Sequence, residues 1–179
     1  MVGLLVLTIC AGLMAVGCSS QEAEPEDYTP EDLGLQEIEP VNAPDFTIDT
    51  VDGGSITLSS LRGTPVLLNF WQIDCPPCLE EMPYLNTVAT QYAGEAFVMA
   101  ANIGDSPQSV QEFFGDNTIN MIVPVDPNGY VASQYSVGFT PTTFLIDADG
   151  VARYVKVGPF ASMAQVVASI ELILPGTVT

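Results

Sequence analysis

From Pro44 onward the chain alternates between two periods of apolar residues, one of two and one of three to four. Phe46–Ile48 and Ser55–Leu58 read as a short hairpin turned at Asp52-Gly53-Gly54. Val66-Leu67-Leu68-Asn69-Phe70 is a continuous apolar run, the mark of a strand covered on both faces. After Cys75 the spacing changes: Leu79, Met82, Leu85, Val88 and Tyr92 recur at three and four, predicting a helix that ends at Gly94. Ala96–Asn102 is a second buried strand. Gln108–Phe114 reads as a helix with Ser106 as cap and Pro107 at its first position. Met121–Val125 predicts a short strand and Tyr130–Tyr135 a helical turn or two. Thr142–Ile146 and Val151–Val157 flank the hairpin turn Asp147-Ala148-Asp149-Gly150, and Ala161–Leu174 is an amphipathic helix. The order β-β-β-α-β-α-β-α-β-β-α predicts an α/β fold, a central mixed sheet flanked by helices with an N-terminal β-hairpin extension.

The first forty residues follow neither period. Val2 to Gly17 carry no charge, a run shorter than the ~20 residues of a comfortable membrane span but suited to a signal-peptide core. The run ends in Ala15-Val16-Gly17-Cys18-Ser19, which resembles a bacterial lipobox with Cys18 as the lipidated residue. Ala15 replaces the usual Leu, and no Lys or Arg stands near the start, so an uncleaved anchor is the competing expectation and a core helix a third. Between Ser19 and Val41 stand eight acidic residues and no basic one, with Pro25, Pro30 and Pro40 interspersed. Such a segment buries too little apolar area to offset its ordering entropy and reads as a disordered acidic tether. The expected organisation is therefore a signal peptide over 1–17, a tether over 18–42, one folded domain over 43–175 and a tail over 176–179.

Charge and composition narrow the chemistry. Twenty-two acidic residues face three basic ones, Arg62, Arg153 and Lys156, for a formal net charge of −19. Nucleic acid or anionic lipid has no basic patch to bind. The chain has no histidine, which removes Ser-His-Asp and Cys-His nucleophiles and His-ligated metals. With Cys10 in the signal segment and Cys18 acylated, Cys75 and Cys78 remain as an isolated pair, and no cofactor or metal is expected beyond that redox pair. The loop between them is too short for the pair to serve as a structural staple.

The pair stands where a strand gives way to a helix. Cys75 occupies the cap position and Pro76 the first helical position. A thiolate there meets the positive end of the helix dipole, which favours the ionised nucleophile. Pro77 lacks an N–H, so the amide of Cys78 is the expected donor to the Cys75 sulfur. Cys75 is then the attacking residue, and Cys78, one turn further in, the resolving one.

These features resemble the TlpA/ResA-type thioredoxin-like proteins of the redoxin family, membrane-tethered thiol–disulfide oxidoreductases of the bacterial envelope. The resemblance spans about Ala43 to Leu174. It rests on Leu67-Leu68-Asn69-Phe70-Trp71, Cys75-Pro76-Pro77-Cys78, Glu80-Glu81-Met82-Pro83 and Gly138-Phe139-Thr140-Pro141-Thr142-Thr143-Phe144-Leu145-Ile146-Asp147. It implies a thioredoxin-like fold and a cis peptide before Pro141, presenting the Thr140 backbone to an extended substrate. Trp71 and Leu79 would form an apolar rim with Pro76 and Pro77, though core packing is an equal expectation for Trp71. Asn69 stands where classical thioredoxins carry a titrating Asp, which leaves Glu81, ahead of Glu80, as the candidate proton relay; the competing reading is a solvated helix carboxylate. Asp74 replaces the family's usual Trp and, with Glu80 and Glu81, places negative charge beside Cys75, pointing to a reducing couple. The resemblance also implies protein thiol or disulfide substrates such as apocytochrome c, a membrane thiol transporter as electron donor, and an extracytoplasmic location on the outer face of the cell membrane or facing a periplasm.

Two other functions fit the same fold. A redox-inert binding or scaffold lipoprotein would make the cysteine pair incidental. A peroxiredoxin-like peroxidase would need Pro and Thr where Leu68 and Gln72 stand.

Overall fold

The computed structural model describes residues 28–176. The proposed signal segment, Cys10, Cys18 and the first part of the acidic segment lie outside the described residues.

A six-stranded sheet runs through the molecule in the order β1-β8-β7-β4-β5-β6. Its strands are β1 (Gln36–Asn42), β4 (Val66–Trp71), β5 (Phe97–Ile103), β6 (Val125–Asp126), β7 (Thr142–Ile146) and β8 (Val151–Val157). β4 pairs in parallel with β5, and β5 with β6; β7 lies antiparallel to β4 and β8, and β1 antiparallel to β8. The sheet is mixed, as expected. The predicted hairpin forms a separate two-stranded ribbon, β2 (Thr47–Asp49) and β3 (Ser55–Thr57), followed by a 3-10 turn over Leu58–Leu61.

Alternation along the central strand divides the interior in two. Leu67 and Trp71 of β4 face a layer holding Met82, Leu85 and Val88 of α1 (Pro76–Gln91), Val110 and Phe114 of α2 (Pro107–Phe114), and Val166 and Ile170 of α4 (Met163–Glu171). Val66, Leu68 and Phe70 face the other way, onto Phe46, Leu58, and Val131, Ala132 and Tyr135 about α3 (Tyr130–Gln134). Every β4 residue is buried, which is why the strand reads as an unbroken apolar run.

Two expectations need correction. Residues 29–42 are not a tether. Thr29–Leu35 forms a closed turn that buries Leu33 and Leu35 in the layer beneath the cysteines, and Gln36–Asn42 then adds an edge strand to β8. The edge strand's side chains are nearly all exposed, so its composition is that of a solvated segment although its backbone is paired. The second correction is smaller: Met121–Val125 is strand only at its end, where Val125–Asp126 pairs with β5, with isolated bridges from Ile122 to Met99 and from Pro124 to Thr50.

Candidate active site

The β4–α1 junction is built as its residues dictate. Cys75 is the N-cap of α1, with extended backbone, and its Sγ accepts from the Cys78 N–H at 3.3 Å. Pro76 and Pro77 fill the first two positions, so the sulfur meets the first helical N–H available. Cys75 and Cys78 are joined in a disulfide, their Cα atoms 5.3 Å apart. Cys75 keeps 7% of its surface exposed and Cys78 none, so Cys75 is the sulfur within reach of solvent. A sulfur anion at this cap gains from the helix dipole.

The loop before the pair is tied from two sides. Asp105, in the turn between β5 and α2, accepts from the Ile73 N–H at 3.1 Å and from Asn102 Nδ2 at 2.9 Å. Thr140 Oγ1 donates to Gln72 Oε1 at 3.2 Å, which brings the Thr140–Pro141 segment to the same end of the sheet. The Thr140–Pro141 peptide is cis. Pro141 itself is buried, while Phe139, two residues earlier, is 76% exposed.

Trp71 does not join a substrate rim. It has no exposed surface, its ring centroid lies 5.2 Å from that of Phe113 and 5.7 Å from that of Phe114, and its indole N–H donates to Ala100 O at 3.1 Å. The cause is its place on a central strand covered on both faces. Leu79 is exposed and lines, with Met82, Pro83, Phe113, Phe114 and Met121, a recess of ≈ 360 Å³ beside the cysteine helix. Pro76 is exposed and Pro77 half-buried.

Of the two neighbouring glutamates, Glu80 faces solvent and Glu81 is fully buried. Glu81 lies three residues after Cys78, hence on the same side of α1. Its carboxylate accepts from Asn69 Nδ2 at 2.8 Å and from the Phe160 N–H at 2.8 Å. Burial pushes its pKa up to about 7, against the opposing pull of those two donors and of the Lys156 ammonium. A carboxyl group poised there both gives and takes protons at neutral pH. Asn69 Nδ2 also reaches Thr143 Oγ1 at 3.0 Å, while its Oδ1 is buried without a hydrogen-bond partner among the described residues.

A thiol pair capping a helix, a cis-proline segment tied beside it and a buried carboxyl behind it, on this mixed sheet, define a thioredoxin-like thiol–disulfide oxidoreductase. A model of the AhpC/TSA family matches residues 41–155, and the chain belongs to that family. It is 37% identical over 117 residues to the thiol-disulfide oxidoreductase ResA of Geobacillus kaustophilus, covering 65% of this chain and 67% of that one. It is 32% identical over 136 residues to the thioredoxin-like protein YneN of Bacillus subtilis, covering 74% and 78%. Among solved structures, a thiol:disulfide interchange protein of the thioredoxin family from Chlorobium tepidum superposes with a TM-score of 0.68 at 26% identity, covering 77% of this chain and 99% of that one. The exposed lipoprotein thioredoxin Etrx1 of Streptococcus pneumoniae gives 0.65 at 25% identity, covering 72% and 98%.

Sequence reasoning missed Asp105, the contacts of Asn69 with Glu81 and Thr143, and Phe160. The first acts through a loop, and the others meet only when β4, β7 and the segment before α4 are brought together.

Proposed function

We propose that this protein is a membrane-tethered thiol–disulfide oxidoreductase outside the cytoplasm that reduces disulfides in envelope proteins, cysteine pairs of apocytochrome c among them. The observation that carries the reading is the graded burial of the pair at the head of α1, Cys75 reachable and Cys78 enclosed with Glu81 behind it. The likeness to ResA and to an exposed lipoprotein thioredoxin supports the location and the tether through Cys18.

In the reduced protein the Cys75 thiolate attacks a client disulfide. A Cys75–client bond forms as the client bond breaks, and the departing client sulfur takes up a proton. Cys78 then gives its proton to the Glu81 carboxylate and attacks the Cys75 sulfur. The second client thiolate leaves, and two electrons have passed from the pair to the client. Thr140 and Pro141 hold the client as an added strand, with Leu79, Pro76 and Pro77 bordering its path. A membrane thiol transporter resets the pair by the same exchange in reverse.

Trapping tests this. Cys78→Ser, expressed as the full chain in its own envelope and quenched with acid, should accumulate dithiothreitol-sensitive mixed disulfides through Cys75. Cys75→Ser should accumulate none. A Cys78→Ser chain that captures no client, in cells where the native pair stays oxidised, overturns the reading.

A further inference from the structure

Lys156 is one of only three basic residues in the chain and is 8% exposed. Lysines are almost never that buried unless paired. Its surroundings explain the burial. Strand register places Asn69 of β4 opposite Thr143 of β7, and Thr143 opposite Lys156 of β8. These three make a polar row across the sheet on the side where Asn69 meets Glu81. The Lys156 ammonium lies 5.4 Å from the centre of the Phe160 ring, the same residue whose N–H donates to Glu81.

The remaining wall comes from the N-terminal turn. Lys156 Nζ donates to Leu33 O at 2.6 Å. That carbonyl is held by a turn closed through Leu33 N–H to Thr29 O, Gly34 N–H to Glu31 O and Leu35 N–H to Pro30 O, with Leu33 and Leu35 sunk in the core. At Gly34, φ is +66°, a conformation that favours glycine, and a Cβ would come within 2.9 Å of Nζ, so a side chain there would push the flexible lysine end aside. The next residues pair with the strand that carries the lysine, Gln36 opposite Val155.

We infer that Lys156 is a positioning residue for the redox site, fixed beside Phe160 by its bond to the Thr29–Leu35 turn, so that this N-terminal turn is part of the site's proton wiring. The inference rests on the reading of Glu81 as the proton carrier. Glu81 itself bonds to Asn69 Nδ2 and the Phe160 N–H, with the cysteine pair one turn back on α1; Thr143 of β7 lies behind Asn69, and Lys156 of β8 acts on the carboxyl through its charge from beyond ion-pair distance. The ammonium favours the ionised carboxylate, which is the form that takes the proton from Cys78. Burial draws the Lys156 pKa down while the Glu81 charge pulls it back up, so each group sustains the other's charge.

The test measures, on the full chain, the pH dependence of the rate at which the reduced protein reduces oxidised glutathione. Glu81→Gln should remove the limb near pH 7 in the otherwise native chain. Lys156→Met should move that limb up by about one pH unit, the low end of what an opposite nearby charge contributes. Gly34→Ala, which keeps the lysine but crowds its ammonium, should move it in the same direction by less. In a Glu81→Gln background, Lys156→Met should leave the profile where it is. A native-like profile in Lys156→Met, or an equal effect in the Glu81→Gln background, overturns the role of the lysine alone. An unchanged profile in Gly34→Ala overturns the part given to the turn. An unchanged profile in Glu81→Gln overturns the proton-carrier reading itself.

Discussion

Glu81→Gln exchanges a buried carboxyl group for an amide of the same shape that does not ionise. In the unfolded chain Glu81 titrates near its ordinary value of 4.5, and in the folded protein near about 7, because burial penalises the charge. Between those values the folded chain holds a proton that the unfolded chain releases. Stability therefore falls as pH rises through that window, and the loss is complete above the folded pKa. A pKa difference of about 2.5 at about 1.4 kcal/mol each amounts to about 3–4 kcal/mol weighing against the folded state at pH 8. The side chain has no exposed surface, so solvent screening removes little of this. Gln carries no such burden. The assay is urea unfolding of the oxidised protein, in which the cysteines do not titrate, followed by the fluorescence of Trp71, the single tryptophan. The stability of Glu81→Gln relative to the parent should rise by about 3 kcal/mol between pH 4.5 and pH 8. A relative stability flat to within about 1 kcal/mol over that range would refute the reasoning.

Leu33→Ala should cost about 2–5 kcal/mol, because Leu33 is sunk in the core rather than carried on a tether; urea midpoints measure it, and a cost below about 0.5 kcal/mol would restore the tether reading. Trp71→Ala should cost about 3–5 kcal/mol through the lost contacts with Phe113 and Phe114, as seen by circular dichroism melts. A change confined to client binding with native stability would return Trp71 to the surface.

What the sequence made legible was local. The cap is written in Cys75 followed by two prolines, and the donation from the Cys78 N–H follows from their missing hydrogens. The buried centre of the sheet is written in Val66–Phe70, and the same run, extended by one residue, accounts for Trp71. Glu81 was reached through family resemblance, and its helical spacing from Cys78 agrees. Residues 29–42 misled because acidic residues and prolines mark their composition, whereas their order comes from backbone pairing along an edge and two leucines. The polar row of Asn69, Thr143 and Lys156 was out of reach, since it exists only once the register between β4 and β7, far apart in the chain, is set beside that of the β7–β8 hairpin. The cis peptide at Pro141 was implied by resemblance alone, and nothing in its local sequence would have told it from a proline opening a strand.

The most direct measurement is the reduction potential of the Cys75–Cys78 couple in the full chain, by dithiothreitol or glutathione titration with thiol trapping. A reductant of envelope disulfides should cycle with a potential below about −200 mV, toward the thioredoxin end of the range. A potential near about −120 mV, at the strongly oxidising end, or a pair that does not cycle at all, would contradict the reading.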